Sequence, residues 1–115
     1  SAAANIRAGK LKALAVTTAQ RSELLPDLPA VAEKFKGFEI DTWWGLVAPA
    51  GTPADVVQRL NQLAVKALHS AEVMGLYRDM MMETVTNTPD AFGAFMRHEL
   101  ARYQQVVRVS GATVG

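Results

Sequence analysis

The side chains able to do chemistry are few, and their spacing excludes more than it suggests. His69 and His98 each have an acidic neighbour, Glu72 and Glu99, but neither has a second histidine at helical spacing. A zinc site needs several converging ligands, and this pattern does not supply them. Ser22, Ser70 and Ser110 lack the flanking glycines of a nucleophile elbow, and no triad assembles around them. The chain has no cysteine, which removes a thiol nucleophile, a disulfide framework and a cysteine-based metal site. Pro49-Ala50-Gly51-Thr52 precedes a helix as an anion-binding turn would. It lacks the lysine and glycine density of a phosphate loop, so helix capping explains it better. The expectation is a protein without catalytic residues, metal or cofactor.

What remains suits the holding of a small anion. Thr17 and Thr18 close a run that reads as a strand, and ligands of open α/β sheets bind at the carboxyl ends of strands. Their hydroxyls can donate to a carboxylate, or simply form a polar strand end. Arg21 can pair with an anionic ligand, or with Asp27 or Glu23 in its own loop. Thr42, Trp43 and Trp44 form the most unusual cluster, holding both tryptophans of the chain. Either ring can line a cleft. Neighbouring strand residues point to opposite faces, so at least one ring packs in the core. Met80-Met81-Met82 reads as core filling at a helix end or as an adaptable apolar surface.

The elements that must position these groups alternate in type. Ala2 to Ala8 fits the last turns of a helix, with Gly9 as its left-handed cap. Leu11 to Thr17 is apolar on both faces, as in a strand covered on two sides. Thr18 to Pro29 is a connection broken by Pro26 and Pro29. Ala30 to Lys36 predicts a short helix ended by Gly37. Phe38 to Trp43 alternates as a half-buried strand, then changes character at Trp43-Trp44-Gly45 before Leu46-Val47-Ala48. That change marks a bulge, a hinge or an interdomain crossing.

Thr52-Pro53-Ala54-Asp55 opens a helix, with Thr52 placed to accept from the Asp55 N–H. Val56, Val57, Leu60, Leu63, Ala64, Ala67 and Leu68 give it one apolar face. Ser70 caps the next helix, Glu83 to Val85 suggests a short strand, and Thr88-Pro89 opens a last helix ending near Ser110-Gly111. The order is that of an α/β protein with few strands packed against amphipathic helices. Two or three strands are few for a self-sufficient sheet, so the chain is expected to belong to a larger fold or to complete its core by association.

The 115 residues suit one domain. A net charge of +1 and the absence of a basic run argue against nucleic acid. No apolar run approaches the roughly 18 residues that span a bilayer, and Ser1-Ala2-Ala3-Ala4 does not read as a signal peptide.

Three stretches carry a resemblance to a known family: Ile6-Arg7-Ala8-Gly9-Lys10-Leu11 through Thr17, Leu25-Pro26-Asp27-Leu28-Pro29 through Glu33, and Thr42-Trp43-Trp44-Gly45 through Pro53. Together with Leu60-Asn61 and Thr88-Pro89-Asp90-Ala91-Phe92 they resemble the Bug (TctC-like) substrate-binding proteins of tripartite tricarboxylate transporters. The resemblance implies part of a type II periplasmic-binding-protein clamshell, α/β in class. Residues 1–40 would run from one lobe to the hinge, 41–48 would form the crossing strand, and 49–115 the helical part of the other lobe. It further implies a periplasmic location, a small organic anion such as a di- or tricarboxylate, and membrane permease subunits as partners.

The family is longer, and this chain resembles its C-terminal portion, without the earlier loops that supply the main ligand contacts. Thr17, Thr18, Thr42, Trp43 and Trp44 are then the candidate ligand contacts. A homodimer through exposed helix faces is the further partner expected. The sequence departs from the family pattern at three places. Met80-Met81-Met82-Glu83 fills a junction that usually holds glycine, Ala30 stands where threonine is preferred, and Trp44 where tyrosine is frequent. The alternatives are the ligand-sensing domain of a transcription regulator, which shares the two-lobed plan, and an isolated dimerising structural module.

Overall fold

A computed structural model describes residues 2–113; Ser1, Val114 and Gly115 lie outside the described residues. Among the described residues four α-helices follow in order: α1 Ala3–Arg7, α2 Ala54–Leu68, α3 Ala71–Asp79 and α4 Pro89–Ser110. A 3₁₀ turn at Val31–Glu33 stands where the short helix was expected. The chain divides into two compact units. One comprises the residues up to Ala48 with His69–Thr84; the other comprises Pro49–Leu68 and the residues from Val85 on.

The helix ends follow local chemistry. At α3, the Ser70 hydroxyl accepts from the Val73 N–H at 3.3 Å. At α4, Thr88 accepts from Ala91 at 3.2 Å and Pro89 fills the first turn, where its missing N–H costs nothing. Gly111 closes α4 with φ 66°.

The α2 opening differs from expectation. The Thr52 hydroxyl donates back to the Pro49 carbonyl at 2.8 Å, and the first helical bond runs from Val57 N–H to Pro53 C=O. The cap has therefore moved one residue along. Gly51, at φ +84°, supplies the third position of the Pro49–Thr52 turn, a conformation that costs glycine nothing.

Two helix ends share one motif. After α1, Gly9 N–H bonds Ile6 C=O and Lys10 N–H bonds Asn5 C=O. After α3, Met81 N–H bonds Arg78 C=O and Met82 N–H bonds Tyr77 C=O. Both are Schellman endings, which place their pivot residue in the left-handed region. Gly9 does so at φ +68°, and Met81 at φ +55°. The junction where a glycine was expected keeps a glycine-like backbone with a methionine in it, at a cost of about 1–2 kcal/mol for the side chain in that region.

The expected strands at Leu11–Thr17, Phe38–Trp43 and Glu83–Val85 are not formed among the described residues. A single parallel bridge joins Val16 to Ala30. Val16 N–H donates to Pro29 C=O and Val16 C=O accepts from Val31 N–H, both at 3.0 Å; Thr17 C=O accepts from Ile40 N–H at 3.0 Å. Successive residues of an extended chain bond to opposite sides, so the segment through Val16 and Thr17 lies between residues 29–31 and residue 40. This is the start of a sheet with one rung on each side. Helices satisfy their own backbone, whereas a ladder needs neighbouring strands of matching length, and these are few.

The buried apolar set among the described residues is small, Ala3 and Ala30. In the second unit, α2 packs on α4, and Asn61 donates to the Asn87 carbonyl at 2.9 Å. Val57, Ala64 and Leu68 are partly covered, whereas Leu60 and Leu63 remain exposed.

Candidate functional site

The five candidate contacts all belong to the first unit. Thr17 is exposed, and its backbone carbonyl is the acceptor that fastens residue 40 beside it. Thr42 follows two residues later, about 7 Å along an extended chain. The structure therefore brings Thr17 beside the segment leading to Thr42, with Thr18 next in the chain. The Thr18 hydroxyl donates to the Gln20 carbonyl, a local bond that commits its proton to the backbone. Its oxygen keeps acceptor capacity only, so Thr17 and Thr42 are the better hydroxyl donors to an anion. Trp43 is 38% exposed and Trp44 72% exposed. Neither ring is fully enclosed.

A hollow of about 570 Å³ within this unit lies elsewhere. Arg7, Glu23, Leu24, Arg78, Asp79 and Met81 line it, and none of the five candidates does. Arg7 donates to the Asp79 carbonyl and lies 3.9 Å from its carboxylate. The hollow mixes both signs of charge, with two arginines against two acids, and so offers no net field for an anion.

Arg21 has a partner that sequence reading did not name. Its Nε donates to Glu33 Oε1 at 2.7 Å and its Nη2 to Oε2 at 3.0 Å. The pairing is with Glu33, not with Asp27 or Glu23. The same Glu33 Oε1 accepts from the Ala30 N–H at 2.9 Å, supplying at the 3₁₀ turn one bond of a capping box where Ala30 has no hydroxyl. The Arg21 hydrogen bonds, then the Ala30 amide, hold the Glu33 carboxyl down at about 2 from its ordinary 4.5. The Arg21 guanidinium is pushed up by the same contact. This clamp fastens the Thr18–Pro29 connection to the turn, and it engages Arg21 structurally. The signal was present as an arginine and a glutamate flanking a proline-punctuated loop, but the fold of that loop decides which acid Arg21 meets.

Glu99, read beforehand as a neighbour of His98, is 5% exposed and accepts from Arg102 at 2.6 Å. The i,i+3 spacing permits this pair; the burial of its acid was not visible in the pattern. Among the described residues no group of three or more histidine, cysteine or acidic side chains is placed to hold a metal. No helix among them is long and apolar enough to cross a membrane.

The fold is that of part of a periplasmic binding protein. It matches the solved structure of the periplasmic binding protein BugD with a TM-score of 0.79 and 32% identity, over 96% of this chain and 38% of that one. Residues 1–112 match the family model of the tripartite tricarboxylate transporter family receptor, TctC, and the chain belongs to that family. Among curated relatives, a UPF0065 protein from the tcbD-tcbE intergenic region of Pseudomonas sp. strain P51 is 35% identical, over 90% of this chain and 31% of its own length. The protein BugT of Bordetella pertussis is 34% identical, over 94% of this chain and 33% of its own length. The chain thus spans about a third of the length of these relatives.

Proposed function

We propose that the chain forms the C-terminal portion of an extracytoplasmic solute receptor that binds a small organic anion, a carboxylate, and hands it to membrane permease subunits. The observation that carries this reading is the family match over residues 1–112. The periplasmic binding protein of known structure supports a periplasmic location and a role in binding rather than catalysis. In this reading the whole receptor is an α/β clamshell, residues 41–48 cross between its lobes, and lobe closure signals to the permease. Thr17, Thr42 and the two tryptophans contribute one edge of the site. Thr18, its hydroxyl proton held by the Gln20 carbonyl, contributes through its backbone N–H rather than its side chain. The exposed helix faces of the chain taken alone would also let it pair with a second copy.

A chimera tests the function. The chain replaces the matching 38% of BugD, and the folded product is titrated calorimetrically with mono-, di- and tricarboxylates and with cationic solutes. The expected result is binding of at least one carboxylate, weakened by Thr17→Val or Thr42→Val. A folded chimera that binds cations and no carboxylate overturns the reading.

A further inference from the structure

Thr17 sits on a start of sheet that has one rung on each side, so no ladder among the described residues holds it in place. Something else must. Ala30 lies opposite Val16, and Val16 bonds both neighbours of Ala30, donating to Pro29 C=O and accepting from Val31 N–H at 3.0 Å. Ala30 is in turn held by Glu33. The Glu33 N–H donates to Ala30 C=O at 3.0 Å, and Glu33 Oε1 accepts from Ala30 N–H at 2.9 Å. Both backbone polar groups of Ala30 are thus bound to one residue, and Ala30 is one of the few buried positions, at 3% exposure.

Arg21 closes the circuit. It stands four residues beyond Thr17, on the outgoing limb of the Thr18–Pro29 connection, and Glu33 stands three residues beyond Ala30, past the returning limb. Its Nε and Nη2 meet the two Glu33 carboxylate oxygens at 2.7 and 3.0 Å. That bidentate fork fixes orientation as well as distance. Its Nη1 donates to the Pro26 carbonyl at 3.4 Å, so the guanidinium is engaged within its own loop. The bonds form a closed ring, from Val16 and Thr17 along the chain to Arg21, across to Glu33, then to Ala30 and back to Val16. On the other side of Thr17, Ile40 N–H donates to its carbonyl at 3.0 Å, two residues before Thr42.

We infer that Arg21 and Glu33 are positioning residues for anion binding. Neither is a ligand contact. Together they fix the Thr17 backbone beside the segment that carries Thr42, and hydroxyl donors bind well only when held within about 0.5 Å of the productive geometry. This assignment rests on the proposed function, which gives the Thr17 and Thr42 hydroxyls to a carboxylate.

The test separates positioning from stability. In the BugD chimera, Arg21→Gln and Glu33→Gln are titrated with acetate, succinate and citrate, well below the melting temperature of every variant. The dissociation constant of the carboxylate bound should rise about tenfold, the low end of what removing a group that orients a ligating residue costs. Arg21→Lys restores the charge and one bond, and its affinity should fall between the two. In the chain itself, Arg21→Gln should speed exchange of the Val31 and Ile40 amides severalfold while the middle of α4 exchanges as before. Variants that melt earlier yet bind as tightly as the unsubstituted chimera overturn the inference, because the pair is then a structural tie alone. Unchanged Ile40 exchange in Arg21→Gln overturns it too, with no ligand involved. An unsubstituted chimera that binds no carboxylate defeats the proposed function, and the inference falls with it; the two failures differ in whether that chimera binds.

Discussion

The helices of the second unit and the extended segments of the first are drawn from similarly apolar sequence, yet they differ in completeness. α2 and α4 close their own hydrogen bonds, α4 between a Thr88 cap and Gly111, and each leaves apolar side chains exposed. The segments around Val16 and Ile40 are joined by isolated backbone bonds rather than a ladder, and Leu46 and Val47 stand 81% and 77% exposed. The difference teaches that a helix completes its backbone locally, whereas an extended segment depends on residues distant in sequence.

A proline scan gives the sharpest test of that contrast. Gln62→Pro, in the middle of α2, should cost about 3 kcal/mol or more and remove much of the helical circular dichroism. Leu14→Pro, at a 73% exposed position of the extended segment, should cost less than about 1 kcal/mol. Equal losses in thermal melts would break the comparison. The two Schellman endings sharpen it next. Met81→Gly should stabilise the first unit by about 1 kcal/mol in urea denaturation, and Gly9→Ala should cost about the same. Nothing lies within 4 Å of a side chain built at Gly9, so that cost is conformational rather than steric.

Helix caps come third: Thr88→Ala and Ser70→Ala should each lose about 1 kcal/mol, read as earlier melting of α4 and α3 respectively. The smallest effect is pH-dependent. The Glu33 carboxyl is depressed from 4.5 to about 2, so the clamp's contribution is fully present above about pH 4.5 and is lost as pH falls through about 2. NMR titration of the Glu33 carboxyl and the Ala30 amide should follow that window. Arg21→Gln should return the carboxyl towards its ordinary range.

What was legible in the sequence follows the same division. Ser70, Thr88, Gly9 and Gly111 mark helix boundaries through chemistry confined to a few residues, and the structure places each as read. The Thr52-Pro53 opening was read one residue early because the hydroxyl turned back to Pro49, a choice made by the Gly51 turn. The strands were legible as apolar alternation but not as structure, since pairing depends on segments far away in sequence. For the same reason Arg21 met Glu33 rather than its nearer acids, and the burial of Glu99 was hidden. Family membership was legible from three motifs in order, because motif spacing survives even where the sheet does not close.

Amide hydrogen exchange of the chain under native conditions tests the central claim most directly. The account predicts protection through the middles of α2 and α4, isolated protection at Val16, Val31 and Ile40, and rapid exchange across residues 44–48. Protection of residues 44–48 in the chain alone, at the level of α2, would contradict it.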